Sequence, residues 1–400
     1  MSQPRPLRTL LFSTLYPSSV RPGHGIFVEK RLTELLGSGQ IDTRVVAPVP
    51  WFFSSHPRFG DYARWARTPA RETWHGLEVQ HPRYLVLPKL GMSLSPFTLA
   101  RAARPAVARL LDEGFDFDVI DAHYFYPDGV AAALLARYFN KPLVITARGS
   151  DINLLAQYAV PRRLMQWAAQ QANACVGVSQ ALTQRMAHLG FPADRLKTLP
   201  NGVDLSVFGL QGQAPTRAAL AWPDAPTLLL VGNLVENKGQ HLAIEALLHL
   251  PGFRLVLVGE GPQRAALERL ASRLQLTSRV QFLGQVAPHQ LALCYSAADL
   301  LLLPSSREGW PNVLLEAMAC GTPVVATRVG GMAEIVRSPA AGQLMAARTV
   351  ASLVQAVQAL WCKLPARAAV RACALGHGWQ ATTQAQLRLF HEVVQEGVLA

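Results

Sequence analysis

Short apolar runs alternate with helix-length amphipathic segments along this chain, and that alternation constrains its fold more than any other feature. Strand-like runs are RTLLFSTL, DTRVVAPV, FDVIDAH and PLVITARG in the first half, then TLLLVGNL, RLVLVGEG, VQFLG, DLLLLPS and TPVVATRVGG in the second. Between them, helical patterns cover Ile26 to Leu36, Asp128 to Phe139, His241 to Leu250, Gln263 to Leu274 and Asn312 to Cys320. Continuous apolar strands separated by helices belong to parallel sheets covered on both faces. The rhythm restarts near Thr227, and Val207 to Asp224 is polar, weakly periodic and broken by Pro and Gly. The pattern therefore predicts an α/β chain of two doubly wound, Rossmann-like domains, 1–206 and 207–378. The amphipathic last helix, 379–400, should pack back on the first domain. Two such sheets facing each other leave a cleft at their strand C-termini, where ligands bind in this architecture.

The 400 residues are 50% apolar and 16% charged, as in a well-buried globular chain. No stretch reaches the roughly 18–20 apolar residues of a spanning helix. The N-terminal run in MSQPRPLRTLLFSTLYP is broken by Ser13 and Thr14 and lacks a small-residue cleavage site, so it reads as a buried first strand. Cys175, Cys294, Cys320, Cys362 and Cys373 show no paired spacing, which indicates reduced thiols and a cytoplasmic protein. Residues 1–200 carry 23 Lys+Arg against 14 Asp+Glu, and residues 201–400 carry 15 against 12. The basic half should face something anionic: nucleic acid, a membrane surface or an anionic substrate.

Four segments carry candidate chemistry. In SSREGWPNVLLEAMACGTPVV a strand ends at Pro304, Pro311 suits the first position of a helix, and Gly321 with Pro323 stops it. The backbone of Gly309 to Leu314 then offers N–H groups at a helix N-terminus, a seat for phosphate or sugar oxygens. Glu308 precedes that helix and Glu316 lies about one turn inside it, in an otherwise apolar run where an acid needs a partner. In VGNLVENKGQHLAIEAL, Lys238 sits in a strand-to-helix loop and can reach a diphosphate as a point charge. In YPSSVRPGHGIFVEKRL, Gly25 ends a Gly/Pro-rich loop that allows close backbone approach. In VIDAHYFYPDG, His123 stands at the C-terminal end of a buried strand. No segment completes GxGxxG, so a dinucleotide fingerprint is absent.

Taken in order, VGNLVENKG, VLVGEGP with Gly261, VQFLGQV, Glu308–Glu316 and GGMAEIV resemble the donor-binding half of the retaining glycosyltransferases of family 4, which have the GT-B fold. NGVD (Asn201 to Asp204), VGVSQAL and GHGIFVEKRL extend the resemblance over nearly the whole chain. The GHGIFVEKRL loop and TARGSD look most like members acting in bacterial exopolysaccharide or teichuronic-acid-type synthesis. The resemblance implies transfer of a sugar from a UDP- or GDP-sugar to a glycan or lipid-linked acceptor. It further implies that Glu316 binds the donor ribose and that Glu308 contacts the transferred sugar. Backbone amides of Gly309, Trp310, Asn312, Val313 and Leu314 would hold sugar and phosphate oxygens. Lys238 would neutralise the diphosphate, Gly25 would approach it from the other domain, and His123 would touch the sugar or the leaving oxygen. Asn233 stands where the family usually has Arg and cannot supply that charge. The load would then fall on Lys238, or on Arg148 in TARGSD.

No DxD-like pair stands at a strand end, so neither metal nor cofactor is expected. The stretch from Arg58 to Lys89 interrupts the rhythm with Arg58, Arg64, Arg67, Arg71 and Arg83 among Phe59, Tyr62, Trp65, Trp74 and Tyr84. Such a mixture suits an anionic membrane surface near the acceptor side, giving a peripheral position on the inner face. The basic residues form no recognition-helix or RNP-like pattern, so no nucleic acid is expected. Two competing readings use the same fold: a nucleotide-sugar epimerase, and a catalytically silent nucleotide-sugar-binding subunit.

Overall fold

The structure, a computed structural model, describes residues 5–86 and 91–399. Lys89 of the basic stretch lies outside the described residues.

The chain divides into two compact units, Met1–Pro200 with Gln380–Ala400, and Asn201–Trp379. The first is built from β1 (Leu7–Phe12), α1 (Ile26–Gly37), β2 (Ile41–Val46), β3 (Val49–Pro50), α2 (Asp61–Arg67), β4 (Arg71–Trp74), β5 (Leu77–Gln80), β6 (Arg83–Tyr84), α3 (Gly91–Asp112), β7 (Val119–His123), α4 (Val130–Phe139), β8 (Leu143–Ala147), α5 (Ser150–Asn153), α6 (Ala159–Gln171), β9 (Ala174–Gly177), α7 (Gln180–His188) and β10 (Leu196–Thr198). The second contains α8 (Gln213–Ala219), β11 (Thr227–Val231), α9 (Gln240–Ala246), β12 (Arg254–Val258), α10 (Arg264–Arg273), β13 (Val280–Gly284), α11 (Pro288–Ala297), β14 (Leu300–Leu303), α12 (Asn312–Ala319), β15 (Val324–Ala326), α13 (Met332–Ile335), β16 (Gly342–Leu344), α14 (Val350–Cys362) and α15 (Arg367–Leu375). The last helix, α16 (Trp379–Leu399), returns to the first unit, where Leu387, Leu389, Phe390 and Val393 join the core with Leu11, Val28, Leu32 and Val45.

In the first unit an eight-stranded sheet runs β10-β9-β8-β7-β1-β2-β5-β4, parallel except for the β4–β5 pair. In the second, six parallel strands run β13-β12-β11-β14-β15-β16. Strand order reverses between β1 and β7 in one sheet and between β11 and β14 in the other, and such reversals open a crevice beyond the strand C-termini. These parallel strands are apolar throughout because both faces are covered: Leu228, Leu229 and Leu230 of β11 and all four leucines of β14 are fully buried.

Three local expectations shift. Asp128 lies in a wide turn, Phe125–Gly129, and α4 begins only at Val130, because Tyr126 precedes a proline and stays extended (φ −140°, ψ 126°). Pro311 caps α12 from outside rather than opening it, and Asn312 is the first helical residue. The stretch from Arg58 to Tyr84 is not irregular: it forms α2, the β4–β5 hairpin at the sheet edge, and β6, which pairs with β3. Among the described residues, no helix is long and apolar enough to cross a membrane.

Candidate active site

At the β11–β14 reversal of the second unit, Lys238 Nζ donates to Glu308 Oε1 at 2.5 Å. Both side chains are largely buried. Backbone contacts hold the two loops together. Ser306 N–H donates to Asn237 O (2.7 Å), and Arg348 donates to Pro304 O through Nε and to Glu236 O through its fork. Gly239, at φ 76°, passes so close to Pro304 that a Cβ would lie 2.5 Å from the Pro304 carbonyl oxygen. Gly330 (φ 53°) packs the same way on the other side of the loop, where its Cβ would fall 2.0 Å from Glu308 O. Gly331 N–H donates to Gly309 O (3.0 Å). The GG pair in GGMAEIV thus allows the Glu308–Gly309 backbone to be clamped.

The following residues lead into α12. Trp310 is buried, and its indole N–H donates to Asn201 O at 2.9 Å, so its ring anchors the loop and only its backbone is offered to a ligand. Leu314 N–H is already spent on Pro311 O (3.1 Å). Asn312 and Val313 open the helix, where N–H groups lack intrahelical acceptors. Asn312 Oδ1 is buried without a hydrogen-bond partner among the described residues, which a ligand donor would correct. One turn further on, Glu316 Oε2 accepts from the hydroxyl of Tyr295, a fully buried side chain of α11 (2.8 Å). Burial and the neighbouring Glu316 push the Tyr295 phenol well above its usual range, so it remains a donor. Tyr295 is a residue that sequence reasoning missed. A tyrosine inside an apolar helix needs a partner for its hydroxyl, and that was the available signal.

Asn233 is exposed, and its carbonyl accepts from Gln240 Nε2 at 2.9 Å. Gly261 has a packing role: a Cβ there would lie 2.4 Å from Leu234 O. Arg348, also missed, reaches this turn, where its guanidinium serves the two loop carbonyls named above.

In the first unit the crevice lies where β1 and β7 part. His123 ends β7 with its ring fully enclosed, so the structure shows a side chain held in a network and not one presented to solvent. Its Nδ1 accepts from the Arg148 guanidinium at 2.7 Å, so Nε2 carries the proton and donates to Asp121 Oδ2 at 3.1 Å. The carboxylate oxygen also accepts from Gln386 of α16 (3.3 Å), whose amide oxygen receives Arg31 Nε at 2.5 Å. Burial, reinforced by Arg148 and Arg31, pushes the His123 imidazole down to about 4, so it is neutral at pH 7. Burial also lowers Arg148, to about 9, which leaves it charged. Asp121 is held below the usual carboxylate range despite its burial, through the His123 hydrogen bond and the two arginines.

Gly25 begins α1 at φ 72°, and a Cβ would meet Leu15 O at 2.3 Å, so the GHG loop lies flat on the end of β1. Arg148 stacks over Phe27 of α1 (5.3 Å). Asp151 of TARGSD accepts from the amides of Phe125 (2.8 Å) and Gly149 (2.8 Å), fixing the loop that carries Arg148.

Two α/β units of this strand order have the architecture of the GT-B class. Solved structures agree on the fold. Sucrose-phosphate synthase from Thermosynechococcus elongatus superposes with a TM-score of 0.79 at 22% identity, covering 98% of this chain and 100% of that one. HepE of Anabaena, solved in complex with UDP, gives 0.71 at 21% identity over 96% and 100%. The profile "Glycosyl transferases group 1" matches residues 213–370, and "Glycosyltransferase Family 4" matches residues 62–207. A Bacillus subtilis protein described as a putative teichuronic acid biosynthesis glycosyltransferase, TuaC, is 33% identical over 341 residues, 82% of this chain and 83% of its own. The chain belongs to glycosyltransferase family 4 and is a glycosyltransferase.

Proposed function

We propose that this protein transfers a sugar from a UDP- or GDP-sugar to a glycan or lipid-linked acceptor, with retention of the anomeric configuration and without a metal ion. The observation that carries the reading is the Lys238–Glu308 pair at the β11–β14 reversal, beside the open first turn of α12. Breaking the donor bond leaves negative charge on a diphosphate and positive character on the sugar carbon. Fixed cations and helix N-termini stabilise the former.

In this reading Lys238 turns from Glu308 to the diphosphate as the donor enters, and Glu308 is released to a sugar hydroxyl. The first amides of α12 and Asn312 Oδ1 take donor oxygens and a hydroxyl. Glu316, oriented by Tyr295, accepts from the ribose. Neutral His123 offers no proton at pH 7 and accepts from the Arg148 guanidinium instead. The acceptor attacks on the face from which the diphosphate departs, which preserves configuration. HepE, whose UDP complex is known, and a teichuronic-acid-type relative support the choice of donor and acceptor classes. Five cysteines without a disulfide suit the proposed cytoplasmic location.

The test is a screen of UDP-, GDP- and ADP-sugars for binding and nucleotide release, with the product anomer read by NMR. Transfer with retention is expected for one donor class, unchanged by EDTA. An inverted product, EDTA inactivation reversed by a divalent ion, or product from donor alone would each remove the corresponding part of the proposal.

A further inference from the structure

Beyond β3 and β6 of the first unit, the surface turns apolar and cationic. The two strands are parallel and adjacent, with Trp51 N–H donating to Tyr84 O at 2.7 Å, so the chain leaves both at one level. One exit carries Trp51 (49% exposed) and Phe53 (69%); the other carries Leu85 (52%) and Val86. Phe52 stacks against Phe53 (4.5 Å between centroids), Phe59 (5.3 Å) and Tyr62 (5.1 Å), and Tyr62 meets Trp65 (4.9 Å). Thr98 Oγ1 donates to Leu85 O at 2.7 Å, which brings the outer face of α3 alongside, with Leu94 and Phe97 exposed.

Among the described residues, the charges around this face are mainly cationic. Arg58, Arg64 and Arg67 are exposed beside the rings, and Asp61, the acid on α2, is occupied by Arg64 at 3.4 Å. Arg101 and Arg104 follow Phe97 on α3, at the rim of a groove of about 660 Å³ against α4. Stacked rings alone would also suit a sugar. Exposed Leu85, Val86, Leu94 and Met92 do not: aliphatic side chains bind acyl chains, and arginines bind phosphate.

We propose that this face docks on an anionic lipid bilayer, with Trp51, Phe53 and Tyr62 at headgroup depth and the arginines on lipid phosphates. It goes beyond the transferase reading and does not depend on it, because docking needs no donor. Partition follows apolar burial together with attraction to anionic headgroups, and each arginine near such a surface contributes about fivefold.

Vesicle flotation of the full chain tests it, with phosphatidylglycerol-containing and pure phosphatidylcholine vesicles. Binding is expected only to the anionic vesicles, and it should fall as salt rises from about 0.1 to about 1 M and the Debye length shrinks from about 10 to about 3 Å. The triple variant Arg58→Gln/Arg64→Gln/Arg67→Gln should lose about a hundredfold in partition. Trp51→Ser/Phe53→Ser should lose binding to the same vesicles while melting at the wild-type temperature, since both side chains are exposed. Lack of wild-type flotation at low salt overturns the proposal. So does equal flotation of wild type and both variants, or a wild-type dimer that Trp51→Ser/Phe53→Ser converts to monomer without any vesicle binding. Transferase activity in solution with a soluble acceptor analogue is unaffected by any of these outcomes, so the two proposals fail separately.

Discussion

Lys238→Ala separates the chemistry of the donor site from its stability. The lysine makes a 2.5 Å ion pair with Glu308, and the two side chains are 21% and 12% exposed. The pair is largely buried, so removing the lysine leaves the Glu308 carboxylate short of its counter-ion and should lower stability by about 1–3 kcal/mol. For a unit of this size each kcal/mol shifts the melting temperature by about 2–4 °C. The effect on turnover should be larger. Removing one preorganised partner of a developing charge costs about 2.7–4 kcal/mol, or roughly a hundred- to a thousandfold in kcat. Asn233 brings no second cation to the site, so rescue from within the loop is not expected. Lys238→Arg should recover part of the loss, because it restores charge but not the point geometry. The assay is steady-state nucleotide release with a saturating donor, alongside a thermal melt. A variant that stays folded at the assay temperature and turns over within about threefold of wild type would refute the role of Lys238 and the electrostatic argument behind it.

Other consequences follow from individual contacts. Tyr295→Phe removes the hydroxyl that orients Glu316 at 2.8 Å; a hydrogen bond to a charged group is worth about 1.5–3 kcal/mol, so the donor KM should rise at least tenfold with a smaller change in kcat. Unchanged donor KM would show that Glu316 needs no such support. Gly330→Ala would place a Cβ 2.0 Å from Glu308 O at φ 53°, so a melting loss of several degrees and a marked loss of activity are expected; wild-type behaviour would contradict the clamp. The His123 imidazole is held at about 4, below the unfolded value near 6.5. Between those values the unfolded chain binds the extra proton, so His123 makes stability fall as pH drops from 6.5 to 4, by roughly 3 kcal/mol in all. In urea titrations, the stability gap between wild type and His123→Asn should narrow over that window; a pH-independent gap would mean that the ring is not held neutral.

The parallel strands were legible in the sequence because continuous apolar runs have few alternatives, and the loops of the site were legible because they sit where those runs end. Glu308, Lys238 and the first turn of α12 could be placed that way. What could not be read were contacts made across long stretches of chain. Asp121 and Gln386 are 265 residues apart, so nothing local announced that the last helix completes the His123 network. His123 itself reads as a strand-end residue open to a ligand, but Arg148 and Asp121 close on it from β8 and β7. Arg348 drew no attention in the sequence, because the Pro304 and Glu236 carbonyls it serves lie 44 and 112 residues away. The glycines carry a different kind of signal. Gly25 and Gly261 signal close approach correctly, but in the structure each lies against the chain's own backbone, at Leu15 and Leu234. Sequence identifies that a Cβ is forbidden without saying by what.

The proposal that the loop from Glu308 into α12 holds the donor nucleotide sugar is decided by a crystal structure with UDP or GDP bound. The diphosphate is expected within about 3 Å of Lys238 Nζ and of the first amides of α12, with the ribose hydroxyls on Glu316. A nucleotide bound elsewhere, with the Lys238–Glu308 and Tyr295–Glu316 contacts both intact, would overturn it.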